Sequence, residues 1–200
     1  MQNNQYVVAN IIWAFFLFVL GVFVILPGWS FFPFNFVLVV LNLIDYGIHE
    51  MGHMVLGITG WIFIGMLGGS LFQWGGPLLL MAYSFYKKRF TTAYFFFFWF
   101  GKSLNESVIY IRDARSQSLP LMSPFFFTGE PITHDWNYLL GQMHLLQTDQ
   151  AIAGMFCVAG TLVMLTAIFL TAVPLTVLQG WLGRWISIVD PQNVQSRGYR

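Results

Sequence analysis

The run His49-Glu50-Met51-Gly52-His53 sets two imidazoles four positions apart with a carboxylate beside the first. On a helix, residues i and i+4 lie one above the other, so both rings can reach one metal ion while Glu50 approaches a water held there. Two nitrogen ligands and a general base are the parts of a catalytic zinc site. Such a zinc takes three protein ligands and keeps its fourth position for water, whose pKa it brings near 7, so one more ligand is expected.

Asp135, His134 and Glu106 compete for that place, since carboxylate and imidazole both suit zinc. His134-Asp135-Trp136 opens an amphipathic stretch that continues through Asn137, Leu139, Leu140 and Leu145. Asp135 is narrowly preferred as the ligand, with His134 beside it to complete the ion's shell or to hold substrate. The competing role for Asp135, or for Thr133, is to cap the first turn of this stretch. Asp45 lies four residues before His49. It is either the carboxylate that fixes a histidine tautomer by accepting its other N–H, or an interfacial charge. Asn105-Glu106 provides either a polar lid or transition-state donor, or an ion pair of Glu106 with Lys102 or Arg112. His144 reads as an interfacial residue.

The surroundings decide what the motif is worth. Hydrophobic residues make up 57 % of the chain, aromatic residues 19 % and charged residues only 8 %, against about 25 % charged in soluble domains. His, Glu and His inside an apolar helix cost several kcal/mol unless they are paired or bound, which favours metal binding over a chance match. A metal or proton transporter would need ionisable residues distributed across the membrane, whereas here they gather on one side. The formal charge of +1 gives no basic surface for nucleic acid. Cys157 is the single cysteine, so no internal disulfide can form, and it reads as a small packed residue.

Stepping along the chain, five apolar runs are long enough to cross a bilayer, at about 9–30, 33–58, 61–86, 91–111 and 150–179. They predict an all-α polytopic membrane protein, a single domain over 1–200, with about five transmembrane helices around the metal site. Residues 112–149 form a polar loop carrying an amphipathic helix. The opening Met1 to Val8 has no basic region of a cleaved leader, so the first run is expected as a retained helix. Gly68-Gly69, Gln73 and Gly75-Gly76-Pro77 punctuate the third run. They predict either a break near Gly75 lining a water route to the metal, or a proline kink with close helix packing. Phe95 to Phe98 read as packing or lipid-facing residues.

Lys87-Lys88-Arg89 is placed in the cytoplasm by the positive-inside rule. The amino terminus is then outside and the carboxy terminus, with Arg184, Arg197 and Arg200, inside. Arg112 and Arg115 fall on the outer side. The expected location is a plasma membrane, the inner membrane in a bacterium. Whichever way the chain is inserted, counting passes brings His49 to His53, Asn105-Glu106 and His134-Asp135 to one side.

With His-Glu-x-x-His inside an apolar helix and a glycine-rich hydrophobic segment after it, the chain resembles the site-2 protease class of intramembrane zinc metallopeptidases. The likeness covers helices two to four, roughly half of the chain. It implies membrane helices around a buried zinc, His49 and His53 on the metal, Glu50 as base, and hydrolysis of peptide bonds in membrane-protein substrates. The family's late Asn-Pro…Leu-Asp-Gly motif, whose aspartate is the third ligand, is absent, as is a PDZ-like insertion. The orientation read above also puts the metal toward the outside, whereas the family site lies toward the cytoplasm. The chain is thus expected to be a divergent relative. The alternative is a non-catalytic accessory or assembly subunit of a larger membrane complex. Expected partners are the lipid bilayer and either a membrane-protein substrate or partner subunits.

Overall fold

A computed structural model of the chain describes residues 2–26, 34–119 and 134–173. Thr133, Arg184, Arg197, Arg200 and the ends of the first and fifth apolar runs lie outside the described residues. Six α-helices are present among the described residues: α1 (Gln2–Ile25), α2 (Phe34–Gly57), α3 (Ile62–Tyr86), α4 (Phe90–Arg112), α5 (Asp135–Gln142) and α6 (Asp149–Ala172). A 3-10 turn, Leu146–Thr148, precedes α6. The chain is therefore all-α, as its apolar runs predict. Four stretches are long and apolar enough to cross a membrane: Val7–Ile25, Phe34–Gly57, Ile62–Tyr86 and Leu146–Ala172. Helix α4 is of similar length but carries Lys102, Glu106 and Arg112.

The two hairpin turns lie at opposite ends of α3. Between α2 and α3, the Gly60 N–H donates to the Gly57 carbonyl at 3.0 Å, and Gly60 takes φ +74°, a left-handed conformation that a residue without Cβ adopts at little cost. Between α3 and α4 stands the exposed basic turn of Lys87 to Arg89. The basic turn and the His-Glu-x-x-His end of α2 are thus at opposite ends of the helical layer.

Helix α4 is the central element, packed most extensively on α6 and then on α3, while α2 lies along α3 and α1 crosses α6 and α4. One apolar core joins Leu17 and Leu20 of α1, Phe98 of α4, and Met164 and Ala167 of α6. A second joins Val108, Ile111 and Ala114 to Trp136 and Leu140 of α5 and Ala153 of α6. Outside these cores, large apolar residues such as Phe15, Leu43, Leu79, Met155 and Phe169 face outward. Such a coat is unfavourable in water and suits lipid.

Small residues set the closest approaches. A Cβ on Gly68 would fall 2.5 Å from the Gly52 carbonyl oxygen, and one on Gly101 would fall 2.7 Å from that of Gly160. Glycine at these positions lets the α2–α3 and α4–α6 backbones meet, as small residues do in membrane helix pairs. Helix α3 runs unbroken through Gly75-Gly76-Pro77, with Pro77 buried inside it. The break near Gly75 is therefore absent. Proline removes only one helical hydrogen bond, and surrounding helices commonly absorb such a loss in membrane segments.

Candidate metal centre

The α2–α3 contact through Gly52 and Gly68 sets the inward face of the last turns of α2 against the first half of α3. His49 and His53 stand on that face, each with one ring nitrogen already engaged. His49 Nδ1 lies 3.1 Å from Gln73 Oε1, and His53 Nδ1 lies 2.8 Å from the carbonyl oxygen of Gly65. Both partners are oxygens that only accept, so both Nδ1 atoms carry the proton. In a neutral imidazole this leaves a bare lone pair on each Nε2.

Those two lone pairs point at each other and at a carboxylate. His49 Nε2 and His53 Nε2 are 3.0 Å apart, and each is 3.0 Å from Asp135 Oδ2. Two lone pairs and a carboxylate oxygen converge with no proton to share among them. Only a positive charge balances the triangle, either a bound cation or a second proton on an imidazole. Its 3.0 Å sides approach the separation of about 3.3 Å that two ligands take when each is 2.0–2.1 Å from a tetrahedral zinc. Gly69 completes the cradle, because a Cβ there would lie 2.5 Å from His53 Nε2 and 2.6 Å from His49 Nε2. The donor set His, His, Asp, with a glycine where a Cβ would clash, fits zinc. The three side chains are 20 %, 22 % and 20 % exposed, so the site is reachable from outside the bundle.

Asp135 is delivered by α5, a helix of only eight residues. Its placement comes from its apolar side. Trp136, Leu139 and Leu140 are buried, and the Trp136 ring packs 6.1 Å from that of Trp74 in α3 and 5.7 Å from Phe156 in α6. Trp74 is itself tied to α4, donating from Nε1 to Ser107 Oγ at 3.1 Å. Asn137 Nδ2 donates to the carbonyl of Ala114 at 2.7 Å, fixing α5 to the end of α4. Burial pushes the Asp135 carboxyl up, and its contacts with His49 and His53 outweigh this and hold it at about 2.

Glu50 is half-buried on the same turn of α2, near enough to both histidines and Asp135 to interact with their charges, with Tyr46 one turn back against its carboxyl. The other candidates are placed differently. His134 does not join the triad: its Nδ1 caps α5 by accepting from the Asn137 N–H at 3.3 Å, so His134 rather than Asp135 is the cap. Its Nε2 is buried 3.5 Å from Asp113 Oδ2. Asp113, held below the usual carboxylate range by hydrogen bonds from Ser116, Leu119 and Ser118, organises the turn after α4.

Asp45 is neither a partner of His49 nor an interfacial charge. It is fully buried against α4, accepting from Trp99 Nε1 at 2.9 Å, Lys102 Nζ at 2.8 Å and Ser103 Oγ at 2.9 Å. Asn105 turns away from the triad, donating to the Gly101 carbonyl at 3.1 Å on the side of α4 that meets α6. Glu106 pairs with Lys102 at 2.8 Å, one of its two expected partners, and also accepts from Gln73 Nε2 at 3.3 Å. It stands behind His49 rather than beside the triad. Gln73, bonded to His49, and Gly69, the floor of the candidate site, are positions that the sequence marks only as interruptions of an apolar run. No protein-family model matches the chain, and comparison with curated proteins and with solved structures gives no match either.

Proposed function

We propose that this chain is an integral membrane protein in which α4 joins the four apolar stretches as a fifth crossing helix, and that His49, His53 and Asp135 hold a zinc ion with which it hydrolyses peptide bonds of membrane-protein substrates. The observation that carries the reading is the convergence of two imidazole nitrogens and a carboxylate oxygen within 3.0 Å of one another. Bound there, zinc supplies Lewis acidity and lowers the pKa of water to near 7. Glu50, on the same turn as the ligands, takes the proton from the attacking water at its carboxylate and returns it to the departing amine nitrogen. Tyr46 holds that carboxyl in place. Gly69 leaves space beside the ligands for the reacting groups. With Lys87 to Arg89 in the cytoplasm, the site opens toward the outer side of the membrane.

One observation favours the non-catalytic alternative. Asn105 and His134, the residues that could have stabilised an oxyanion, face α6 and Asp113 instead. In that reading the metal clamps α5 to α2 within an assembly subunit. Zinc-loaded protein in proteoliposomes, set against a panel of transmembrane peptides, separates the two. Glu50→Gln is expected to keep its zinc while slowing cleavage by about 10²–10⁴-fold, the usual contribution of a general base. Equal cleavage by wild type and variant, both holding zinc, contradicts this route, and isolation of the chain in fixed ratio with other subunits without cleavage favours the assembly role.

A further inference from the structure

Behind the triad runs a second polar chain that reaches it through a single side chain. Lys102 Nζ donates at 2.8 Å to Asp45 Oδ2 and at 2.8 Å to Glu106 Oε2. Glu106 Oε2 also accepts from Gln73 Nε2 at 3.3 Å, and Gln73 Oε1 faces His49 Nδ1 at 3.1 Å. The direction of every link follows from the lysine. An ammonium only donates, so Glu106 Oε2 accepts from it; the same oxygen accepts from the Gln73 NH₂, which turns the Gln73 oxygen to His49. His49 must then be protonated at Nδ1 and bare at Nε2, the tautomer that a metal needs.

We infer that Asp45, Lys102, Glu106 and Gln73 form a positioning relay that sets the tautomer and ring orientation of His49 for metal binding; this rests on the metal reading proposed above. The charges support a role beyond closing the bundle. Lys102 lies between Asp45 and Glu106, and Glu106 is the carboxyl directed at Gln73. The relay also has an end. Leu41, one turn before Asp45, is buried and apolar, which suits an anchor better than a conducting path. His53 is served differently, by the backbone carbonyl of Gly65, which no side-chain substitution removes. The two ligands should therefore differ in how far side-chain changes elsewhere disturb them.

The test uses the full-length protein in detergent with cobalt as the probe, reading affinity by chelator competition, the visible d–d bands, and the unfolding of the metal-free protein. Gln73→Leu is expected to weaken cobalt binding about 10–100-fold, the usual cost of losing the partner of a metal-bound histidine. Glu106→Gln keeps the shape and a hydrogen bond to Lys102, so it folds even if Gln73→Leu does not. It is expected to weaken binding severalfold and to shift the d–d bands. If wild type binds cobalt and both variants bind it with unchanged affinity and spectrum, the relay is wrong and the network is structural only. A wild type that binds no cobalt overturns the relay together with the metal reading.

Discussion

Two polar clusters lie against the same helix, α2, four to eight residues apart, and they differ in whether protein atoms balance them. At Asp45 every polar group meets a protein partner: the carboxylate accepts three hydrogen bonds, and the ammonium of Lys102 lies between two carboxyl groups. At His49, His53 and Asp135, two ring nitrogens and a carboxylate oxygen are held 3.0 Å apart, and a bound cation or a second proton on an imidazole is needed to balance them. Burial differs in the same sense, with Asp45 and Lys102 enclosed and the triad partly open. A cluster complete within the protein holds helices together, whereas at the triad an added cation or proton has to complete the set.

The largest effect that sharpens this contrast comes from the balanced side. Lys102→Met leaves the buried Asp45 carboxylate facing the part-buried Glu106 and is expected to destabilise the protein by about 3–5 kcal/mol, measured by unfolding in detergent. Replacing the trio together, Asp45→Leu with Lys102→Met and Glu106→Leu, is expected to recover most of that loss, because apolar groups need no partner. Near-equal stability of the single variant and wild type breaks the comparison, since the charges would then be solvated. A smaller effect is expected on the open side. Gly69→Ala removes no ligand but sets a methyl group 2.5–2.6 Å from both Nε2 atoms, and zinc affinity should fall at least about tenfold, about 1.4 kcal/mol. Undiminished affinity in Gly69→Ala shows that the ion sits elsewhere.

What was legible in the sequence follows the same division. His49, Glu50 and His53 declare themselves because their relation is local to one helix, and polar residues are conspicuous in an apolar run. Asp135 could be brought to the correct side by counting passes, but not chosen over His134. That choice is made by Trp136, Leu139 and Leu140, whose burial rotates α5 so that Asp135 meets α2 and His134 meets Asp113. Asp45 was misplaced for a geometric reason. Residues four apart on a helix drift by about 40°, so over the eight residues to His53 the face turns by about 80°, from α4 to α3. Gln73 carries no charge to mark it, and its role depends on a residue of α4 that only the packed helices bring near.

Metal content tests the central claim most directly. The purified wild-type protein, analysed beside His49→Ala and Asp135→Ala after equilibration with limiting zinc, should hold one zinc per chain, and both variants should hold almost none. Absence of zinc from the wild type, or full occupancy in Asp135→Ala, contradicts a site built from His49, His53 and Asp135.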